Sequence, residues 1–444
     1  MTLTGVAMFM TPAVAGEVSL WERQTLTGDW DGLRKAWEDA GVKFSLNEQS
    51  EVWGNAKGGI RTGTSYNGLT TPSLTLDLDK LLKWKDATFF VSALQIHGHG
   101  PTASLVGNQQ ILSNIEATPS TKLYQLWLEQ QLFGGRVNVR IGQEGAADEM
   151  MAVPSAALFL NASFGNPDLV AQDLPNGGPN FPMAAPMVRT KVTLGDGFTF
   201  VNAIFDGDPA GPGTGDPQLR DRSGTAFRLS DPALIFNELW FQRGQDGQSA
   251  ALPGTYKIGV WTHAGHFNDM ATGTDGLPLA SPGGSGIPRA FSGDYAAYVI
   301  ADQMIWRKAG TKDQGISLFG LIMAAPGDRN AESLYAEGGI NWKGAFAGRA
   351  DDVLGAAVAY ARTSDSLRRF GEDSIALTGS GKHYAADETV FEATYLYQAA
   401  PWLGIQPSMQ YTINPCAVCS AKGPGIDAPL KDALTFGVRT KVEF

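Results

Sequence analysis

The chain has 444 residues, with 54 glycines, 24 prolines and a formal net charge of −11. Hydrophobic residues make up 43 % and charged residues 18 %, too apolar for a disordered chain and too polar for a helical membrane protein. No run of 18 or more apolar residues follows residue 16, so no transmembrane helix is expected, and the acidic balance argues against a nucleic-acid partner.

The first stretch, MTLTGVAMFMTPAVAG, is apolar and ends on Ala13-Val14-Ala15, an A-x-A cleavage pattern. Residues 1–15 therefore read as a signal-peptide remnant, although no basic region opens it. Residues 16–41 are expected to form an N-terminal periplasmic segment. Within it, LTGDWDGLRKAWEDAG at 26–41 predicts a short amphipathic helix. Asp29 or Thr27 would cap it, Gly41 would stop it, and Leu33, Trp37 and Ala40 share a face.

Beyond residue 41 the periodicity is that of strands. Candidates lie near 42–54, 69–79, 87–97, 186–194, 197–206, 233–243, 292–306, 313–324, 333–343, 352–363 and 387–399. The clearest hairpin is KLYQLWLEQQLFGGRVNVRIGQE at 122–144. With Gly134-Gly135 as a two-residue turn, Leu128 faces Ile141, Gln130 faces Val139 and Leu132 faces Val137. On the other face Trp127 meets Gly142, Glu129 meets Arg140 and Gln131 meets Asn138. Turn and alternation agree without adjustment. The same dyad recurs at 254–267 and at 402–414, where Pro407 suggests a bulge. The last stretch, LTFGVRTKVEF at 434–444, puts Leu434, Phe436, Val438, Thr440, Val442 and Phe444 on one face and Thr435, Gly437, Arg439, Lys441 and Glu443 on the other.

One apolar and one polar face per strand, with an aromatic at the chain's end, suit a wall between lipid and water. Connections near 133–135, 195–196, 344–351 and 400 are short. Those at 98–120, 145–185, 207–232, 267–291, 364–386 and 415–431 are long. Short periplasmic turns alternating with long outer loops require an even strand count when both ends are periplasmic. The expectation is an all-β, transmembrane antiparallel β-barrel of about sixteen strands over 42–444, wide enough for an aqueous lumen. Parity places 222–229 in a loop. The Pro- and Gly-rich connection 145–185, with an apolar patch from Ala156 to Phe164, is a constriction-loop candidate, and a cap outside the mouth is the alternative.

Cys416 and Cys419 form a lone C-x-x-C. Zinc would need further ligands and a thioredoxin-like site a βαβ context. A local disulfide pinning a loop in an oxidising compartment is the leading reading, with two free thiols as the other. No metal and no cofactor is expected.

Several segments together resemble the carbohydrate-selective porins of Gram-negative outer membranes, the OprB type. They are LTGDWDGLR at 26–34, GQEGAADEM at 142–150, LFLNASFG at 158–165, GGPNFPMAAPMVR at 177–189, LPGTYKIGVWTHAGHFND at 252–269, YVIADQMIW at 298–306, APGDRN at 325–330 and PWLGIQPSMQYTINP at 401–415. The resemblance implies a sixteen-stranded porin of the bacterial outer membrane that passes glucose and similar sugars by diffusion. It also implies that Phe444 is an assembly signal for the barrel-insertion machinery. The Cys416–Cys419 insert after TINP departs from the family pattern.

A sugar channel needs polar groups that exchange hydrogen bonds with hydroxyls and aromatic faces that stack on a pyranose, with binding weak enough for release. The inward face of the hairpin offers Gln125, Trp127, Glu129, Arg140 and Glu144, and the next strand Arg189 and Lys191. Further round are Glu238, Trp240, Trp261, His263, Asp302, Glu392 and Arg439. Each has a plainer reading: Glu129 with Arg140 as a wall ion pair, Trp127 and Trp261 as membrane-interface anchors, His263 as a hydrogen-bonded wall residue. Expected partners are small sugars, outer-membrane lipid and the assembly machinery, with association of barrels left open. The competing functions are a general diffusion porin, an outer-membrane barrel enzyme (His383 and Ser380 stand close in one loop) and a soluble β-rich binding protein.

Overall fold

A computed structural model describes residues 18–245, 251–379, 381, 387–415 and 430–444. The signal-like residues 1–15, Cys416, Cys419, Ser380 and His383 lie outside these residues.

Sixteen strands follow in chain order: β1 (Val42–Gly59), β2 (Gly63–Asp77), β3 (Ala87–Gly98), β4 (Ser120–Leu132), β5 (Val137–Glu144), β6 (Ala185–Gly195), β7 (Phe198–Asp206), β8 (Ala233–Arg243), β9 (Gly254–Gly273), β10 (Pro288–Arg307), β11 (Gly315–Ala324), β12 (Glu332–Lys343), β13 (Val353–Thr363), β14 (Glu388–Ala400), β15 (Leu403–Ile413) and β16 (Lys431–Glu443). Each pairs antiparallel with its sequence neighbours, and β1 pairs with β16 to close the barrel. Residues 222–229 lie outside every strand. The expected hairpin register holds, with Leu128 opposite Ile141 and Glu129 opposite Arg140. The turn is wider than two residues: it runs from Phe133 to Arg136, and Phe133 shares the left-handed backbone of Gly134 and Gly135. A two-residue and a four-residue turn share the same pair sum, so the register does not depend on which one forms.

Burial is inverted relative to a water-soluble sheet. On β16, Phe436 and Val438 are exposed at 49 % and 45 %, whereas Thr435 and Arg439, on the other face, are buried. Ile258 and Val260 of β9, Val299 of β10 and Ile322 of β11 repeat the pattern. Apolar side chains outward and polar ones inward are stable only where lipid surrounds the wall.

Four sequence expectations need correction. The helix is confined to Leu33–Ala40, and its N-terminal flank is Gly32 in a left-handed conformation, with no side-chain cap. Asp29 reaches further and accepts from the Lys35 N–H at 3.1 Å. Leu33 and Trp37 are exposed, and Trp37 packs edge-on against Trp30. Gly41 does end the helix, at φ 99°. Pro407 makes no bulge: it stays in register with Val438 of β16, and the ladder to β14 skips only its neighbourhood before resuming at Tyr397–Ile405. Strands β9 and β10 run twenty residues each and take up much of the expected 267–291 loop. Finally, the outer connections 60–62 and 325–331 are short, so the short–long alternation is incomplete.

The N-terminal segment is tied to the closing seam. The Leu26 N–H donates to the Glu443 carbonyl at 2.7 Å, and Arg34 donates to the carbonyl of Phe444 at 2.9 Å. The Phe444 N–H donates to the Leu46 carbonyl at 2.9 Å, so the last residue is held by β1.

Candidate functional site

The connection between β5 and β6, residues 145–184, does not stand outside the barrel. It crosses the interior and is fastened to the far wall by carboxylates that accept its backbone N–H groups. Glu238 of β8 accepts from Met151 at 2.7 Å and Asp302 of β10 accepts from Ser155 at 2.6 Å. Glu392 of β14 accepts from both Leu160 and Asn161, each at 2.9 Å. Tyr335 of β12 donates to the Ser163 carbonyl at 2.8 Å, and Gln406 of β15 donates to that of Leu158 at 2.7 Å. The apolar patch foreseen between Ala156 and Phe164 supplies the packing. Phe159 and Phe164 join Met150, Met151, Leu169 and Val170 in a buried cluster with Phe236, Trp261, Phe319 and Tyr335 of the wall.

A second segment, 99–119 between β3 and β4, also folds inward. Its Gln109 and Gln110 N–H groups both donate to Glu388 of β14, and its Leu112 carbonyl accepts from Gln410 of β15. Its Asn114 N–H donates to the Leu160 carbonyl at 2.7 Å, which joins the two loops.

Between these loops and the wall of β1 to β4 lies a cavity of about 620 Å³ with a mixed polar and apolar lining. Gln49, Thr71, Ser73, Phe90, Ser92 and Gln125 line it from the wall. Ser113, Asn114, Glu116, Asp148, Asn166 and Asn180 line it from the loops, and Arg439 closes the ring at the seam. Arg439 donates through Nε to Glu51 Oε1 at 2.6 Å and through Nη2 to Asn114 Oδ1 at 2.5 Å. Glu51 is buried and accepts as well from Trp53 Nε1, Asn67 and Ser113.

Seven of the expected residues come together beside this cavity. Gln125 donates to Asp148 at 2.8 Å and accepts from the Trp127 indole at 3.2 Å. Trp127 is sandwiched between Phe90, stacked at 4.9 Å, and the Arg140 guanidinium, 4.0 Å from its ring centre. Arg140 reaches Glu129 and Glu144, both at 2.7 Å. Arg189 bridges Glu129 at 2.8 Å and Glu149 at 2.7 Å, and Lys191 pairs with Glu149. Packed in series, these ions hold one another in place, and with Arg189 and Glu144 buried the loss of one partner would leave its neighbour uncompensated.

Apart from Arg439, which lines the cavity itself, the other expected residues lie elsewhere. Glu238 holds the loop and accepts from Tyr298 and Trp240. Trp261 is fully buried in the apolar cluster under the loop. His263 donates from Nε2 to the Gly207 carbonyl at 3.2 Å while Nδ1 accepts from the Gly265 N–H at 3.0 Å, which requires a neutral ring. Asp302 and Glu392 are loop anchors. Glu51, Asn114, Phe90 and Asp148 were not singled out from the sequence. Glu51 could have been: it shares the inward face of β1 with Trp53, opposite the apolar Val52.

Two loop carboxyls titrate near neutrality. Burial pushes Asp148 up to about 6 against hydrogen bonds from Tyr124, Gly145 and Gln125. Burial likewise pushes Glu116 up to about 7, with Thr102 donating to it. Burial also acts on Glu149, but Arg189 and Lys191 outweigh it and hold that carboxyl below its usual range. Because the first two values lie above the ordinary ones, the folded chain binds more protons than the unfolded chain between about pH 4 and 7. These two groups therefore oppose folding increasingly as pH rises through that window. Both line the cavity, so protonation removes two negative charges from it. Cation preference, read as a reversal potential across a salt gradient, should weaken as pH falls from about 8 to 5. A pH-independent potential would contradict this.

Comparison with known proteins bears on the whole chain. A family model described as "Carbohydrate-selective porin, OprB family" matches residues 61–444. Porin B of Pseudomonas aeruginosa is 24 % identical over 435 residues, covering 94 % of this chain and 91 % of that protein. The high-pH structure of Pseudomonas putida OprB superposes with a TM-score of 0.84 at 24 % identity, over 96 % of this chain and 100 % of that one. The outer-membrane channel DcaP of Acinetobacter baumannii superposes with a TM-score of 0.52 at 10 % identity, over 91 % and 97 %. The last two likenesses are of fold.

Proposed function

The chain belongs to the carbohydrate-selective porin family, OprB, and from that premise we propose how its lumen selects a sugar. It is an outer-membrane porin for passive diffusion of sugars, and family and fold are those of a channel. In our reading, residues 145–184, with 99–119 against them, are the constriction, and the cavity beside β1 to β4 is where a monosaccharide such as glucose pauses. The observation that carries this is the composition of the cavity's rim. Amides of Gln49, Asn114, Gln125, Asn166 and Asn180 and hydroxyls of Thr71, Ser73, Ser92 and Ser113 surround it, with Phe90, Tyr124 and Phe181 as flat apolar faces and Arg439 as a fixed donor.

Such a rim replaces the hydration shell of a neutral polyol, and its charged groups are each engaged within the protein: Glu116 by Thr102, Asp148 by Gln125 and Arg439 by Glu51. The sugar's hydroxyls exchange water for amide and hydroxyl partners, and its C–H face rests on an aromatic ring. The ion row of Glu129, Arg140, Glu144, Arg189, Glu149 and Lys191 is internally compensated. It would stiffen the wall and carry Trp127 into place. Glu238, Trp261 and His263 would shape the lumen from behind the loop. Titrating glucose into a planar bilayer that holds single channels tests the site: current block saturating in the millimolar range is expected, and no block at any concentration would leave a plain water-filled pore.

Phe444, held between Leu46 and Arg34, is in this reading also the feature that the barrel-assembly machinery recognises. Deleting it should abolish the heat-modifiable barrel in outer-membrane fractions. A folded barrel at unchanged level would assign the residue a merely local role.

A further inference from the structure

The helix ahead of the barrel, α1 (Leu33–Ala40), is eight residues long and has no buried side chain. Isolated helices shorter than about 12–15 residues are marginal in water, and most draw their stability from covering an apolar face. The apolar stripe of α1 is Leu33 and Trp37, one turn apart and exposed at 47 % and 43 %. The opposite edge is polar, with Lys35 and Asp39 paired at 3.1 Å. Within the chain, nothing covers the stripe beyond the edge of Trp30.

The position of α1 says what does. Glu51 of β1 points into the lumen, and the pairing of β1 with β2 is unbroken from Val42 to Asn55, so Phe44 points outward. Trp30 leans on Phe44, with ring centres 6.3 Å apart, and Trp37 meets Trp30 edge-on at 5.9 Å. The helix therefore sits on the lipid side of the wall, at its periplasmic end. The neighbouring turn, α2 (Leu78–Leu82), joins β2 to β3 at the same end, and its Leu82 and the following Trp84 are exposed at 69 % and 46 %. Trp84 donates from Nε1 to Gln130 at 2.7 Å, and Gln130 shares the outward phase of Leu128 on β4. The two turns are tied together: Lys80 Nζ donates to the Glu38 carbonyl at 3.2 Å, and the Asp77 N–H to that of Gly41 at 2.8 Å.

We propose that α1 and α2 lie in the boundary layer of the outer membrane's periplasmic leaflet, with Leu33, Trp37, Leu82 and Trp84 against phospholipid, so that α1 is an interfacial helix and not a free periplasmic one. The surface is continuous with the barrel's lipid face. At this end of β1 to β4 the outward positions are Phe44, Leu76, Phe89 and Leu128, all apolar and none a Trp or Tyr. Further round, Trp306, Trp342 and Tyr397 stand exposed at the periplasmic ends of β10, β12 and β14, as an interfacial aromatic belt requires. Trp37 and Trp84 supply that belt where the strands do not, and the Trp84 indole has the geometry such a residue needs, its ring exposed and its N–H on a polar partner. Arg34, on the flank of α1, holds the Phe444 carbonyl at 2.9 Å, so lipid contact through α1 also steadies the seam where the barrel closes. The inference rests on the chain being an outer-membrane barrel but not on which solute it passes.

The test uses the full chain, with Cys416 and Cys419 changed to Ser, in nanodiscs of phosphatidylethanolamine and phosphatidylglycerol. A heat-modifiability check shows that each variant is folded. An environment-sensitive fluorophore is placed at Leu33→Cys, Trp37→Cys and Leu82→Cys, with Lys35→Cys as the polar edge of α1 and Ile322→Cys as a strand residue in lipid. Labels at 33, 37 and 82 should emit to the blue of the label at 35. They should lose most of their emission to nitroxide-bearing phospholipid, as the label at 322 does, and resist iodide added to the water. Folded variants whose labels at 33 and 37 are quenched by iodide as freely as the label at 35 overturn the proposal, as does nitroxide quenching confined to 322. Glucose block of the unlabelled chain reports separately, so the sugar reading and the interfacial helix can each fail alone.

Discussion

Replacing Glu392 by Ala is expected to open the channel. This carboxylate, buried on β14, accepts the Leu160 and Asn161 N–H groups and the Ser408 hydroxyl, all at 2.9 Å. Hydrogen bonds to a charged acceptor are worth about 1.5–3 kcal/mol each, so losing the two backbone bonds costs the docked loop roughly 3–6 kcal/mol. The apolar packing of Phe159 and Phe164 remains, but their strand-side clamp is gone. Single-channel conductance should rise several-fold and glucose should lose its advantage over other solutes of its size. Glu392→Gln keeps one acceptor and should fall between. Unchanged conductance in a folded Glu392→Ala barrel would mean that residues 145–184 do not limit the pore.

Replacing Arg439 by Met should act on the cavity itself. The side chain is the cation facing Glu51, which is itself 1 % exposed, and it also holds Asn114 at the tip of the second inward loop. Removing one member of such a buried pair typically costs about 3–5 kcal/mol, because it leaves Glu51 without a counter-charge, held only by neutral donors from Trp53, Asn67 and Ser113. Asn114 would lose its donor and the rim its fixed cation. Glucose block should weaken about tenfold or more, the equivalent of about 1.4 kcal/mol, and heat-modifiability should shift to lower temperature. Arg439→Lys keeps the charge but not the two-pronged geometry, so it should retain stability better than block. If block survives Arg439→Met while stability falls, Arg439 is a seam brace and not a sugar contact.

Much of the architecture was legible in the chain because a lipid-embedded strand must alternate, and alternation survives without tertiary information. That is why 434–444 already separated Phe436 and Val438 from Thr435 and Arg439, and why the hairpin pairing of Leu128 with Ile141 came out in register. Parity did the same for 222–229. The helix boundary was missed because a left-handed Gly32, not a side-chain cap, starts it. Pro407 was expected to bulge, but its missing N–H is absorbed where the β14 ladder simply skips.

The site was less legible for a different reason. Alternation says that Glu238, Asp302 and Glu392 point inward but not what they meet. Their ligands are N–H groups of a loop far away in sequence: Glu392 is 232 residues from Leu160. Composition could suggest that 145–185 packs somewhere, through its apolar centre, yet no local pattern encodes the far wall as its seat. The outward Glu48 shows the converse. A carboxylate on the apolar phase of β1 breaks the alternation rule, and its partners Ser50, Thr70 and His97 lie on its own strand and the two that follow.

Liposome swelling with purified barrels tests the sugar preference most directly. Glucose should enter markedly faster than a neutral amino acid of equal size, because its hydroxyls match the amide and hydroxyl rim, whereas the zwitterion must also shed the water held by two full charges. Equal rates for the two solutes, from a folded and conducting barrel, would contradict carbohydrate selectivity.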